Sequence, residues 1–267
     1  MSAISLSPLD LCAAALLVLI LAVLTARARL GVGRQLIISS MRMTIQLLLI
    51  GLVLRALFAH VQISWVALMA TVMLLVAGRE VVARQHRRFR GLWAFGVGTT
   101  SMFISSFTVT ILTLAVIVRP DPWFTPQYAI PLLGMLLGNT MNGISLSVDR
   151  LTQSAWQQRS VIEQRLILGQ SRQEAMADIC RDSMRTALTP IINAMAASGI
   201  VTLPGMMTGQ ILAGSPPAEA VKYQILIMFM ISSGVGFGSM GAIWLASRRL
   251  FDQRDRLRLE RLQAPKR

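Results

Sequence analysis

The sequence predicts an all-α, polytopic membrane protein with about seven transmembrane helices. Of its 267 residues, 54% are hydrophobic and only 14% are charged, whereas a soluble globular domain carries roughly 25% charged residues. Apolar runs long enough to cross a bilayer recur along the chain, and basic residues cluster in alternate gaps between them. These runs use most of the sequence, so residues 1–267 are predicted to form a single transmembrane domain.

Seven apolar segments are long enough to be membrane spans, and their predicted boundaries are approximate. The first is expected to be a retained helix, because positive charge follows it, whereas a cleaved signal peptide begins with positive charge. The segments comprise residues 8–26, 36–58, 61–78, 92–118, 128–147, 187–212 and 221–246.

Basic residues set the predicted orientation of these helices. The net charge is +14, from 26 Lys and Arg against 12 Asp and Glu, and Arg is concentrated after the first, third, fifth and seventh segments. Cytoplasmic loops carry such an excess, so we expect the N-terminus outside and the C-terminus in the cytoplasm. The basic residues then face the headgroups of anionic membrane lipids, and nucleic acid is not an expected partner.

The gap between the fifth and sixth segments, about 148–186, is predicted to form an amphipathic cytoplasmic helix pair interrupted at LGQS. Ser171 and Glu174 have the spacing of a capping box, which marks the start of the second helix. Apolar residues from Met176 to Leu188 recur on one face of it. Two interpretations stay open: the helix lies on the membrane or on neighbouring loops, or it docks a cytoplasmic partner. The charged face comprises Arg172, Glu174, Asp178, Arg181, Asp182 and Arg185.

The basic cytoplasmic tail, about 247–267, is predicted to contain one further helix. Its charges alternate in sign in RRLFDQRDRLRLERL, a pattern typical of a helix face that touches solvent or lipid. No functional role is assigned to it.

Several chemistries are missing from the sequence. It contains no G-x-x-x-x-G-K-[ST] motif, so the chain is not expected to bind ATP through a Walker-type loop. It also lacks H-E-x-x-H and G-x-S-x-G, and its two histidines lie in basic or loop contexts, which argues against an enzyme. Cys12 and Cys180 are predicted on opposite sides of the membrane, so neither a disulfide nor a zinc site is expected. Eleven of the twelve acids are predicted in loops or at span ends, which leaves no buried relay for proton-coupled transport.

The fifth segment carries an unusual polar stripe in PLLGMLLGNTMNGISLSVDRL. Asn139, Asn142 and Ser145 are spaced three residues apart and lie along one helix face. Gly134 and Gly138 form a small-xxx-small pair, which lets another helix approach closely. Two interpretations stay open: the amides are glue between helices, or they line a transport path and offer carbonyl oxygens to a passing cation or polar solute.

The sixth segment is interrupted by Pro204 and Gly205, which are predicted to break or kink it. Such a break frees backbone carbonyls that can line a cavity, so Thr202 and Gln210 are secondary candidates for the path. Two methionines follow the break, and thioethers suit soft metals. Adaptable packing is the simpler explanation for the 16 methionines of the chain, and no metal ligands are assigned.

Three strings, LLGNTMNGISLSVDRL, VTLPGMMTGQILAGSPP and AVKYQILIMF, resemble the FetB-type iron-export ABC permeases, whose plant relatives include aluminium-sensitivity proteins. The likeness extends over nearly the whole chain. It implies the membrane half of an ATP-driven transporter, which works with a separate ATP-binding subunit and is implicated in iron export. The helix from Ser171 sits where other ABC permeases place their coupling loop. Glu174 and Ala175 begin like the importer signature EAA, but Met176 and Cys180 depart from it.

The residues and the resemblance together predict the permease subunit of an ABC transporter that exports iron or another metal ion. A homodimer in the inner (plasma) membrane is expected to carry two copies of a cytoplasmic ABC ATPase. This chain is expected to bind no cofactor, and ATP and Mg belong to the partner. Three alternatives stay open: a secondary transporter or channel for a cation or small polar solute working without an ATPase, a membrane-embedded enzyme acting on lipid, and a scaffold that only anchors a partner.

Overall fold

The computed structural model describes residues 7–59 and 61–263, and most of these residues are helical. Its described part contains isolated β-bridges but no β-strand, so the predicted all-α fold class is confirmed. Residues 264–267 of the predicted tail lie outside the described residues. The helices are α1 (Pro8–Arg27), α2 (Gly33–Ala59), α3 (Ile63–Arg84), α4 (Trp93–Met102), α5 (Thr108–Leu112), α6 (Pro126–Gln157), α7 (Arg159–Ile167), α8 (Arg172–Ala197), α9 (Gly205–Leu212) and α10 (Pro217–Arg249).

Two π-helical segments, Phe103–Phe107 and Thr113–Val118, flank α5 and join it to α4 in one continuous helical stretch. Six helices or helical stretches are long and apolar enough to cross a membrane: α1, α2, α3, Trp93–Val118, α6 and α10. They correspond to six of the seven predicted spans. The chain is therefore a multi-pass membrane protein, while the count of seven and the orientation remain predictions.

The predicted sixth span, 187–212, is not one helix. Its first part belongs to α8, which continues without interruption from Arg172 to Ala197. Gly199 then adopts a left-handed conformation with φ +87°, and its N–H donates to the carbonyl of Thr202 at 2.9 Å. A left-handed glycine of this kind commonly ends a helix. Pro204 and Gly205 stand at the far end of the non-helical stretch, where α9 begins.

The predicted helix pair also has different boundaries. The fifth span does not end at residue 147, because α6 continues to Gln157. Only α7, of nine residues, lies between α6 and the LGQS interruption. The capping box at the start of α8 is confirmed, since the Ser171 hydroxyl accepts from the Glu174 N–H at 3.3 Å and the Ser171 N–H donates to the Glu174 carboxylate at 2.8 Å.

The described chain divides into two compact units. One contains α1 and α2 with residues 209–215, and the other contains residues 62–208 and the chain from Pro216 onward. Whether the whole chain behaves as a single domain stays a prediction. In the first unit, α2 starts in contact with α1, where a Cβ at Gly33 would lie 2.9 Å from the Ala22 carbonyl oxygen. Only glycine permits this close approach.

In the second unit, α6 and α10 pack along each other, and α3, α4 and α8 pack against them. The approach is close at Gly238 of α10, where a Cβ would lie 2.6 Å from Thr140 Cγ2 and 2.8 Å from Ser105 Oγ. The apolar core includes Met102, Leu136, Ile144 and Leu151, which are fully buried. Small residues thus bring α10 against α6, as is usual between membrane helices.

Several helix ends of the second unit meet on one side. The Arg87 guanidinium lies 4.0 Å above the Trp156 ring near the end of α6, and Arg172 at the start of α8 pairs with Asp255 at 3.4 Å. Arg249 at the end of α10 lies 4.5 Å above the Trp93 ring. The ends of α6 and α10 therefore lie on the same side of this unit.

Between Leu250 and Gln263 the described tail contains only a short 3₁₀ turn, Leu259–Arg261, so the predicted further helix is wrong. Phe89 and Leu262 form an antiparallel bridge and are almost fully buried, which attaches the tail to the loop after α3. The alternating charges pair locally instead of lining a helix face. The Asp252 carboxylate accepts from the backbone of Arg256 and Arg254 and from two Arg side chains, all at 2.9–3.0 Å, and these bonds hold its pKa well below the usual range.

Candidate functional site

The polar stripe of α6 faces a cleft of about 430 Å³ in the second unit. Asn139, Asn142 and Ser145 all line it, so the structure brings the three leading path candidates to one place. The opposite wall comes from the second half of α8, and Val235 of α10 closes one side. The lining is completed by Arg84, His86, Gly143, Leu146, Asp149, Ala187, Pro190, Ile191 and Ala194.

The two asparagines are held differently. The Asn139 side-chain amide donates to the Met135 carbonyl of its own helix at 2.8 Å. The Asn142 side-chain oxygen accepts from the guanidinium of Arg84 at the end of α3. Asn142 therefore bonds across two helices, as expected of interhelical glue, and at the same time lines the cleft.

A charged cluster forms one end of the cleft. The Asp149 carboxylate accepts from the His86 backbone N–H at 2.7 Å and from the Gln153 amide at 2.7 Å. Its second oxygen lies 3.1 Å from His86 Nδ1, and Arg84 lies 3.9 Å from Glu80. The loop after α3 is thereby tied to α6 at the cleft.

Arg84, His86 and Asp149 were not among the predicted path residues. Asp149 was placed outside the fifth span, but it lies inside α6, four residues beyond Ser145. Asp149 continues the polar stripe by one more turn, because residues four apart share a helix face, so the sequence pattern was sufficient to identify it. No sequence signal connects Arg84 and His86 to the stripe, because they reach the cleft from a distant part of the chain.

The two secondary candidates do not join this cluster. Thr202 lies in the turn after α8, where its hydroxyl donates to the Ala197 carbonyl at 3.3 Å. Gln210 lies in α9, in the part that groups with α1 and α2. Its side-chain oxygen is buried without a hydrogen-bond partner among the described residues.

A second polar region lies between Trp93–Val118, α6 and α10. It contains buried hydroxyls that make no hydrogen bond to the described residues, from Ser101, Ser106, Thr110, Thr140 and Ser239. The π-helical segments occur in the same stretch, and such departures from α-helix are frequent at functional sites. The region touches the cleft at Gly143, where a Cβ would lie 3.1 Å from Ser239 Oγ and 2.7 Å from Val235 Cγ1. Close α6–α10 packing therefore separates two polar regions.

The charged residues predicted for partner docking lie on α8, and all except half-buried Arg172 are exposed. Several are already paired within the chain. Asp178 bonds to Arg165 of α7 at 3.0 Å and to Arg181 at 3.1 Å, and the Arg165 guanidinium holds its pKa below the usual range. Asp182 pairs with Arg185 at 3.4 Å. Exposed pairs of this kind contribute little to stability, so this surface remains available to other contacts.

The described residues contain no group of three or more His, Cys, Asp or Glu side chains that could hold a metal ion. His86 and Asp149 form a pair only.

Comparison with known proteins identifies the family. A model described as "Uncharacterised protein family (UPF0014)" matches residues 8–251. The chain belongs to the UPF0014 family. The UPF0014 chain is 37% identical to the UPF0014 membrane protein slr1647 of Synechocystis over 85% of its own length and 87% of that protein. No solved structure matches it.

Two further relatives have more informative names. The UPF0014 chain is 31% identical to the Probable iron export permease protein FetB of Escherichia coli, over 95% of its length and 96% of that protein. It is also 31% identical to Protein ALUMINUM SENSITIVE 3 of Arabidopsis thaliana, over 87% of its length and 84% of that protein. The first of these names describes a permease, which agrees with the predicted membrane transport subunit.

Proposed function

We propose that the UPF0014 chain is the membrane-spanning subunit of an ABC transporter that exports iron or another metal ion across the inner membrane. A separate ATPase subunit binds ATP and Mg, and two copies of each chain form the transporter. The observation that carries the proposal is the similarity to the probable iron export permease FetB, which spans almost the full length of both chains. The missing Walker motif supports an energy source outside this chain.

The cleft is the proposed transport path. Asn139, Asn142 and Ser145 offer oxygen ligands, which suit hard and borderline cations, and Asp149 supplies a negative charge at the end formed by the loop after α3. The narrow α6–α10 contact at Gly143 and Val235 is the proposed closure toward the buried hydroxyls. Separation of α6 from α10 would join the two polar regions.

The α8 helix connects the proposed ATPase-docking face to the proposed transport path. Its first half carries the exposed charges, and its second half supplies Ala187, Pro190, Ile191 and Ala194 to the cleft wall. Both halves belong to one uninterrupted helix of 26 residues. A push by the ATPase at Asp178 or Asp182 would therefore move the wall of the cleft directly.

The decisive experiment is metal flux in vesicles that contain the purified chain alone or with its ATPase. The proposal expects movement of Fe²⁺ against its gradient only when both subunits, ATP and Mg are present. ATP is supplied on the side that exposes α8. Uphill flux by the isolated chain, driven by an ion gradient, would instead establish the secondary transporter, and downhill flux without ATP would establish a channel.

A further inference from the structure

A groove of about 320 Å³ separates the first half of α8 from the last turns of α10. Its walls are mostly apolar and contain three methionines, and Gln173 and Ser247 add polar atoms to them. They are formed by Met176, Cys180 and Met184 from α8 and by Met240, Ile243 and Trp244 from α10. The proposed transport path does not use this groove, and of the charged face predicted for docking only Arg172 lines it.

Two arginines lie at the end of the groove. The Arg248 guanidinium stacks 3.9 Å above the Trp244 ring, is exposed, and forms no ion pair with a carboxylate of the described residues. Arg172 pairs with Asp255 at 3.4 Å, and a third of its side chain remains exposed. The two arginines and one carboxylate leave a net positive charge where the apolar groove opens.

The position of the groove matches the boundary of a membrane. Its α10 wall belongs to a helix apolar enough to cross the bilayer, while its α8 wall belongs to the amphipathic segment. Trp residues concentrate at membrane interfaces, and arginines near helix ends extend their charges toward the headgroups. The apolar part of the groove then lies at acyl-chain depth and the arginines at headgroup depth.

We propose that this groove binds one anionic phospholipid, with its phosphate on Arg248 and Arg172 and part of an acyl chain between α8 and α10. Basic pockets between membrane helices on the cytoplasmic side are suited to anionic headgroups. Methionine side chains adapt their shape to a flexible apolar ligand. A docking protein fits less well, because the α10 wall continues into the membrane-spanning part of the helix.

Cys180 reports on occupancy of the groove. The chain has two cysteines, both free thiols, and Cys12 of α1 is exposed. Burial raises the pKa of the Cys180 thiol, so alkylation is measured at mildly alkaline pH. The full chain is placed in nanodiscs of phosphatidylcholine alone or with phosphatidylglycerol. We expect phosphatidylglycerol to slow maleimide labelling of Cys180 about fivefold or more, and to leave Cys12 unchanged.

Matched variants separate the headgroup contact from general lipid packing. Arg248→Gln is expected to abolish most of the protection, and Arg172→Gln with Arg248→Gln to abolish all of it. Arg181→Gln with Arg185→Gln removes two exposed charges from the same helix outside the groove, and protection should persist. If loss of the Arg172–Asp255 pair prevents folding, the single Arg248 variant decides the question.

Native mass spectrometry gives an independent measure, namely one retained phosphatidylglycerol in the wild type and none in Arg248→Gln. Equal protection by both lipids, or protection only after addition of the ATPase, would overturn the proposal. The second result would assign the groove to the protein partner.

Discussion

The pair α1–α2 and the bundle built on α6 and α10 differ in how far their apolar side chains are buried by protein. The most apolar 18-residue window of α1 has a mean hydropathy of 2.6, and only 6% of it is buried by the protein. The corresponding window of α6 has a mean hydropathy of 1.2, and 56% of it is buried. Of these two helices the more apolar one is therefore the less buried by protein, unlike in a soluble protein.

The difference indicates whether a helix is surrounded mainly by lipid or by other helices. In a bilayer, lipid buries apolar side chains as well as protein does, so tight packing between helices relies on small residues and polar contacts. The helices of the second unit carry such residues, including Gly238, Thr140 and Asn142, whereas α1 carries Leu and Ala. In the second unit, small and polar residues thus lie where helices face other helices, whereas the window of α2 is 0% buried although α2 carries Ser40 and Gly51.

The largest expected effect comes from filling the α6–α10 contact. Gly238→Leu would force side-chain atoms into Thr140 and Ser105, and overpacking of this kind costs about 3 kcal/mol or more when the backbone must move. We expect a lower thermal midpoint and loss of monodisperse protein in detergent. Gly51→Leu in α2 is the matched control, since a Cβ there meets no described atom within 4 Å. Similar losses in both variants would contradict the comparison.

The next effect concerns transport and not folding. Asn142→Ala removes the contact with Arg84 from the cleft. An interhelical bond of this type is worth about 0.6 kcal/mol, so stability should change little. Metal flux is expected to fall about tenfold, equivalent to ~1.4 kcal/mol in the barrier. Asn193→Ala, an exposed amide of α8 outside the cleft lining, should retain both stability and flux. If Asn142→Ala transports metal at the wild-type rate, the polar stripe serves only to hold helices together.

Charge reversal on α8 distinguishes partner recognition from internal pairing. Asp178→Arg breaks the contact with Arg165, and we expect about fivefold weaker binding of the ATPase, the upper range for one exposed pair. Combining it with Arg165→Asp restores the internal pair, but the charges that the surface presents to the ATPase stay inverted. Recovery of binding in the double variant would show that Asp178 acts only through α7. Arg29→Glu, in the turn after α1, is the control that should leave ATPase binding unchanged.

The smallest effect is expected at the tail. Because hydrogen bonds lower the pKa of Asp252, its contribution is fully present above the ordinary carboxyl pKa, near 4, and is lost as pH falls from there through the lowered pKa of the folded state. Asp252→Asn should mimic the loss at neutral pH. Amide protection factors of residues 250–263, taken relative to the intrinsic exchange rate at each pH, are expected to fall in both cases, with no change in α1. Protection factors that are independent of pH and of the substitution would show that burial of Leu262 alone holds the tail.

Local pattern was sufficient to predict six long helices and the start of α8, because apolar length and a capping box depend only on neighbouring residues. It was insufficient at 186–187, where hydropathy changes sharply but the backbone of α8 continues. The prediction for the tail was wrong for a related reason. Alternating charges suit a helix, but Asp252 and the arginines bonded to it form a turn. Asn139, Asn142 and Ser145 were predicted from spacing, whereas Arg84 and His86 required the tertiary fold.

Because α8 is uninterrupted, the direction of its charged face also fixes the direction of its cleft-lining face. Each residue turns an α-helix by about 100°, so one residue inserted between Arg185 and Ala187 would swing Pro190 and Ile191 away from the cleft while leaving the charged face in place. The segment 168–171 before α8 has no such constraint. Insertions should therefore be tolerated there and excluded from α8 itself, which makes helix length, more than residue identity, the property that would couple the proposed docking face to the proposed path.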